Sequence, residues 1–342
     1  MHLVLKAVFL TTQGTQLRIE RDAFRVERPS EPLVRIPVRQ VDTVVAHGHI
    51  TITTEALHRA AAEGISVVLL SRAGRFLARM EGPTSGNVLL RTEQFRRTQQ
   101  PAWVLECAQT IVAAKLLNSR VLVLDAAKDR EGDAATRLRD CAEGLAELAK
   151  RTREAPDLDH LRGIEGNGAR SYFHAIGPLP TDGRLRFDGR SRRPPRNPAN
   201  ALLSYMYTLL RIRCAGALES VGLDPQCGYL HSLRPGRPSL ALDLMEEFRA
   251  PFVDRFVLTV FNRRQLSFTD FVERPGGSWE LTDGGRRTVL AAWDGFLDGE
   301  VTHRVLGTQQ PRRHVPHLQA LLLARHLRGD LDHYLPFRTL AR

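Results

Sequence analysis

A chain of 342 residues with 42% apolar content is long enough for two domains and a substantial core, and its composition is that of an ordinary soluble protein. The longest apolar runs, such as 65–70 and 121–124, fall far short of the ~20 residues that cross a bilayer, and the first residues lack a signal pattern. The expected location is therefore the cytoplasm, with no membrane partner.

The formal charge of +11 and the pI near 10.2 favour a polyanionic partner, most simply nucleic acid. Lysine occurs only at Lys6, Lys115, Lys128 and Lys150, so the positive charge is nearly all arginine, part of which a genome-wide bias would also produce. Clustering says more than the total, because residues 161–213 hold ten arginines against three acids. Cys107, Cys141, Cys214 and Cys227 are widely spaced with no C-x-x-C pair, which points to reduced, mostly buried thiols rather than a zinc knuckle or a disulfide framework.

Residues 4–28 alternate and are β-branched, with a turn at Thr12-Gln13-Gly14-Thr15, and predict two or three short strands carrying Leu17, Ile19, Phe24 and Val26. Further strands are expected over 33–37, 41–45 and 49–53. His47 and His49 flank Gly48 like a metal pair, but no carboxylate or cysteine is near in sequence, so they read as a strand-end loop. Thr54 caps a helix through Glu63, Gly64 ends it, 65–70 is a buried strand and 74–80 its hairpin partner. Turn formers gather at Gly82-Pro83-Thr84-Ser85-Gly86-Asn87, where the hydrophobic period changes. The expected organisation is α+β, with a small β-rich N-terminal domain over 1–84 and a larger helical one over 85–342.

Past that boundary, 89–97, 103–129 and 133–153 read as helices. The next starts near Asp157, carries Glu165 and continues to Ile176 through Gly166 and Gly168, each costing about 1 kcal/mol against alanine. Something packed, a helix or a ligand backbone, is expected close by. Residues 177–199 form a stiff loop with Arg184, Arg186, Arg190, Arg192, Arg193 and Arg196, read either as a solvated loop or as a phosphate-binding one. In the following helix, 200–213, Tyr205 and Tyr207 either enter the core or stack on bases.

The stretch 228–249 is the most concentrated. Pro235, Gly236 and Pro238 break any preceding helix, and Ser239 caps a new one from about Leu240. On that helix Asp243, Glu246 and Glu247 stand at i, i+3 and i+4 and are expected on one side, opposite Leu240, Leu244, Met245, Phe248 and Phe252. Such acids are either a solvated face or the ligands of a cation. After a bend at Ala250-Pro251, helix is expected over 252–261, a strand over 278–281 between two glycine turns, and helices over 289–296 and 317–327; His314 and His317 read as loop residues.

Carboxylates, His231 and a basic surface fit metal-dependent phosphoryl transfer, with Mg²⁺ or Mn²⁺ as the ion. No G-x-S-x-G elbow or Walker loop is present, and GIEGNG at 163–168 follows no strand.

Arg162-Gly163-Ile164-Glu165-Gly166, the segment from Arg193-Pro194-Pro195 to Asn200-Ala201-Leu202-Leu203-Ser204-Tyr205, and His231 followed by Pro238 to Arg249 together resemble the CRISPR-associated adaptation integrase, the larger universal spacer-acquisition protein. Ile36 to Asp42 and Gly74 to Arg79 are similar to its type I, subtype C branch. The resemblance implies a dimerising β-rich domain and an all-α catalytic domain. It implies a heterohexamer with a small adaptation partner protein, holding double-stranded prespacer DNA. The reaction would be metal-dependent attack of a DNA 3′-hydroxyl on a phosphodiester at the CRISPR repeat, with nuclease activity as its hydrolytic form. Carried over by residue, the metal ligands fall on Glu165, His231 and Glu246, with Asp243 supporting; Glu247 exchanges with Glu246 if the alignment slips by one. DNA contacts are expected from Arg162, the six loop arginines, Arg234, Arg237, Arg249 and Tyr205. An architectural DNA-binding protein, or an enzyme on a non-nucleic phosphate, are the competing readings.

Overall fold

The structure, a computed structural model, describes residues 6–72, 74–80, 82 and 88–339. The expected boundary at 82–87 lies outside the described residues apart from Gly82. The chain forms two compact units, one of residues 1–85 with 280–294 and one of residues 86–279 with 295–342.

The N-terminal stretch of the first unit contains, among the described residues, eight strands and an α-helix: β1 (Lys6–Leu10), β2 (Gln16–Glu20), β3 (Ala23–Glu27), β4 (Val34–Pro37), β5 (Val41–His47), β6 (Thr51–Ile52), α1 (Thr54–Ala62), β7 (Ser66–Leu70) and β8 (Phe76–Met80). They form two four-stranded sheets, ordered β1-β5-β7-β8 and β4-β3-β2-β6. Strand β5 lies parallel to both β1 and β7, and β8 closes that sheet antiparallel. The branched residues of these strands meet in one core with Leu17, Phe24, Val44, Val67 and Ala60 of α1. Thr53, one residue earlier than expected, accepts from the Ala56 amide and caps α1.

The rest of the chain is mostly helical: α2 (Val88–Thr98), α3 (Pro101–Lys128), α4 (Gly132–Arg151), α5 (Leu158–Ile176), α6 (Pro198–Ser220), α7 (Ser239–Met245), α8 (Arg255–Asn262), then β9 (Phe271–Arg274), β10 (Ser278–Leu281), α9 (Asp283–Asp298), β11 (Glu300–His303), β12 (Thr308–Pro311) and α10 (Val315–Arg328). Two small two-stranded sheets, β9 with β10 and β11 with β12, interrupt the helices. Only the strand over 278–281 is expected from sequence; β9, β11 and β12 are not. Residues 280–294, expected in the second domain, group instead with the first unit. There Val289, Leu290 and Trp293 are buried and Asp283 pairs with Arg72. The glycines at 284 and 285, expected as a turn, lie in the first turn of α9.

Helix α3 is the axis of the second unit, packed by α4, α5 and α7. It is apolar and long enough to span a bilayer, but 61% of its most apolar window is buried inside the protein, as in a core helix. Gly168 shows how closely α5 approaches it, because a Cβ there would stand 2.3 Å from Leu116 on α3. Of the packed helix and the ligand backbone, the helix is the neighbour found. Gly166 faces open space.

Candidate functional site

Helix α3, helix α5 and the two segments that flank α7 bring their side chains together. Helix α5, whose N-terminus is capped by Asp157 accepting from the Asp159 and His160 amides, carries Glu165. The segment before α7 carries His231, the turn after α7 carries Glu246, and the middle of α3 carries Lys115. The Lys115 ammonium is ion-paired with Glu165 and lies 2.7 Å from Glu246 Oε2. Nε2 of His231 stands 3.9 Å from Glu246 Oε1.

Asp243 sets the position of His231. It is fully buried on α7, where Oδ2 accepts from the amides of Tyr229 (2.6 Å) and Leu230 (3.0 Å), and Oδ1 accepts from the His231 amide at 2.9 Å. His231 Nδ1 is 2.7 Å from the same Oδ1, so in the neutral ring Nδ1 carries the proton and Nε2 presents its lone pair towards Glu246. This crowding requires Gly228: a Cβ there would lie 2.7 Å from both Asp243 Oδ2 and the Leu240 nitrogen.

The three acids do not share a side. Helix α7 ends at Met245, Glu246 to Phe248 form a turn, and Arg249–Asp254 widen into a π-helical segment before α8. Pro251 has no amide to give to an ordinary helical ladder, and the wider turn accommodates it. The expected continuous helical phase is therefore lost. Glu246 faces Lys115 and His231, whereas Glu247 points into a different pocket, where it accepts from Tyr334 Oη, the Phe337 amide (2.6 Å) and Gln319 Nε2 (2.9 Å). The turn itself is tied to α3 by Asn118, whose side-chain nitrogen donates to the Glu247 carbonyl at 2.8 Å.

The electrostatics divide the same way. Burial raises the Glu246 carboxyl, but Arg249, Lys115 and His231 outweigh burial and hold it at about 2. Burial also dominates at Glu247, pushing it up to about 8 against the pull of Tyr334, the Phe337 amide and Gln319.

Several expected DNA-contacting residues have other work. Arg249 is half-buried, with Nε 2.9 Å from Glu246 Oε1 and its guanidinium 4.6 Å above the Tyr207 ring, so it is a partner of the site. Tyr205 is buried in α6 and cannot stack on a base. Tyr207 is buried too, donating with Tyr172 to Asp254, whose carboxyl burial pushes up to about 6. Arg190 is half-buried and donates to Asn200 Oδ1 (2.6 Å) and Ser204 Oγ (2.9 Å), bracing the arginine loop against α6. Arg192, Arg193 and Arg234 are exposed, and Arg237 half-buried. Arg196 is exposed and donates to the Gly276 carbonyl at 2.7 Å, while the Trp279 amide donates to Pro195. The loop is thus pinned to the β9–β10 turn. Arg184 pairs with Asp182, Arg186 Nε donates to the Pro180 carbonyl, and Arg162 reaches Asp159 and the Leu230 carbonyl.

Sequence reasoning missed Lys115. Its signal was a lysine flanked by apolar residues in the middle of a helix otherwise expected to be core, in a chain whose other cations are nearly all arginine. His47 is buried at the end of β5, and His317 Nδ1 lies 2.9 Å from Ser220 Oγ; neither joins this site. Cys107, Cys214 and Cys227 are buried free thiols, and Cys141 is half-buried.

Among the described residues, no group of three or more His, Cys, Asp or Glu side chains forms a ready-made metal cage. The donor set still suits a hard divalent ion: two carboxylates share one ammonium, and the imidazole of His231, held at Nδ1 by Asp243, turns Nε2 to the other oxygen of one of them.

The family model described as CRISPR associated protein Cas1 matches residues 8–295. A CRISPR-associated endonuclease Cas1 of Rhodospirillum rubrum is 45% identical over 344 residues, covering 98% of this chain and 99% of its own length. Among solved structures, a casposase bound to its integration product superposes with a TM-score of 0.83 at 23% identity, covering 99% of this chain and 94% of that one. The matching part of a Cas6-RT-Cas1–Cas2 complex superposes with a TM-score of 0.82 at 22% identity, covering 100% of this chain and 37% of that one.

Proposed function

The chain belongs to the Cas1 family of CRISPR-associated proteins, and from that premise we propose that it is a metal-dependent DNA endonuclease and integrase that joins prespacer 3′-hydroxyls to a CRISPR repeat. The observation that carries this reading is that Glu165 and Glu246 share the Lys115 ammonium while Nε2 of His231 stands 3.9 Å from Glu246 Oε1. These three residues would hold Mg²⁺ or Mn²⁺. Such an ion, when bound, supplies stabilisation of the charge that develops on a phosphodiester under attack and lowers the pKa of the attacking hydroxyl.

The chain's own groups prepare that chemistry. Asp243 keeps the proton on Nδ1 of His231, Arg249 fixes one oxygen of Glu246, and Asn118 anchors the turn that bears it. The exposed arginines of the 184–196 loop and of 234–237 offer forked donors to backbone phosphates, whose counterions are released on contact. In this reading the β-rich unit makes a homodimer and the assembly includes a small Cas2-type partner, in keeping with the complex that the chain's fold matches.

The test is a strand-joining and cleavage assay with branched and duplex DNA. Added Mn²⁺ should produce joined and cut strands, and Glu165→Ala should lower both by roughly a hundredfold to a thousandfold while DNA retention persists. DNA retention with no Mn²⁺-dependent product from the wild type would favour an architectural role. Wild-type rates in Glu165→Ala would overturn the site.

A further inference from the structure

Lys115 stands where the acids of the site need a cation. It lies in the middle of α3 between buried Ala114 and Leu116, its side chain only 13% exposed. Its Nζ contacts Glu165 from α5 and lies 2.7 Å from Glu246 Oε2 in the turn after α7. Two carboxylates drawn this close repel each other unless positive charge lies between them. The other cation at the site, Arg249, is engaged differently, through Glu246 Oε1 at 2.9 Å and the face of Tyr207. Among the described residues Lys115 is the one that pairs with both acids, and a compact ammonium on a flexible stem fits between two oxygens better than a planar fork.

A divalent ion held by Glu165 and Glu246 would need the same oxygens and the same space. We propose that Lys115 is an internal counter-cation that holds Glu165 and Glu246 together in the metal-free protein and that an entering divalent cation must displace. The inference rests on the reading of these two acids as metal ligands. Metal affinity is then the outcome of a competition, and part of each ion's binding energy goes to moving the lysine aside. Lys115 is a positioning residue in this account, and its signature appears without DNA or turnover.

The experiment measures Mn²⁺ binding by calorimetric titration and thermal melting of the full chain, without nucleic acid, for the wild type, Lys115→Met, Glu165→Ala and Glu246→Ala. Lys115→Met should bind Mn²⁺ about tenfold or more tightly than wild type, because the competitor is gone and uncompensated acids remain. It should also melt lower than wild type without metal and gain more on adding Mn²⁺. Equal or weaker Mn²⁺ binding by a folded Lys115→Met overturns the proposal. If Lys115→Met does not fold without metal, refolding of it and of Lys115→Gln in Mn²⁺ decides: recovery supports replacement of the ammonium by the ion, and no recovery overturns it. Loss of Mn²⁺ binding in both acid variants with wild-type affinity in Lys115→Met sinks this inference alone. Wild-type titration by the two acid variants removes the metal-site reading and this inference with it.

Discussion

Glu246 and Glu247 are adjacent, both buried, and on opposite sides of one turn. Around Glu246 are three cationic or cation-capable groups, Lys115, Arg249 and His231, and the carboxyl is held at about 2. Around Glu247 are neutral donors, from Tyr334, Gln319 and the Phe337 amide, and burial carries the carboxyl up to about 8. Burial is common to both, so it cannot be what distinguishes a reactive acid from a structural one. The difference lies in whether charge or only hydrogen bonds compensate for lost water. Glu246 is equipped to remain an anion that can meet a cation; Glu247 ties the chain after α10 to the turn.

The largest effect expected from this contrast is on activity. Glu246→Ala should reduce Mn²⁺-dependent joining and cleavage by about a hundredfold or more, whereas Glu247→Gln, which keeps the shape, should stay within about tenfold of wild type. The reverse ranking in the same assay would exchange the two acids.

Next comes stability. Glu247→Ala leaves the Tyr334 hydroxyl, the Phe337 amide and the Gln319 amide without their acceptor, and denaturant titration should show a loss of about 2–4 kcal/mol. A loss equal to that of Glu246→Ala would dissolve the contrast.

Asp254 extends the comparison to pH. Its carboxyl is raised by burial to about 6, above its ordinary 3.8, despite the two tyrosine hydroxyls and the nearby Arg249 and Arg190. A carboxyl raised in the folded state favours its neutral form. Its contribution to stability is therefore complete below pH 3.8 and is lost as pH climbs to about 6. Asp254→Asn should flatten the fall in stability across that window by a few kcal/mol, since each tenfold change in proton affinity on folding is worth about 1.4 kcal/mol. An unchanged slope in pH-dependent unfolding would show that Asp254 titrates in its ordinary range.

The smallest effects concern the arginines, which divide as the acids do. Arg192→Ala or Arg193→Ala should weaken DNA binding and lower the salt slope by about one unit each. Arg190→Ala, which removes a brace between the loop and α6, should act first on thermal stability. Equal salt slopes for exposed and braced variants would argue against phosphate contact by the loop.

Much of this architecture is legible in the sequence where local rules and packing agree. The strand expected over 278–281 appears with those bounds, although only the glycines before it form a turn and those after it open α9. The glycine-interrupted helix is continuous, and Gly168 is the point of close approach to Leu116 that its cost suggested. The division between Glu246 and Glu247 was not legible, because counting residues along a helix presumes a constant period, and Pro251 sits where that period gives way to π-helical winding. Lys115 was hidden for a different reason: nothing local shows that a cation on one helix meets acids 50 and 131 positions away. The sequence of α6 is compatible with Tyr205 in the core or stacked on a base, and the resemblance implies DNA contact; the burial of the residue decides for the core.

The grouping of residues 280–294 with the N-terminal unit bears on how the chain is made. A ribosome finishes residue 85 long before residue 280, and the interval of 195 residues takes roughly 10–40 s at ordinary elongation rates. Throughout that time the early strands exist without Trp293, Leu290 and Val289, and by its end the segments that carry Lys115, Glu165 and Glu246 have been made. The first unit to begin is therefore incomplete until residue 294 is made, after most of the second unit's residues, and a cut after residue 85 yields strands that lack one of their own segments.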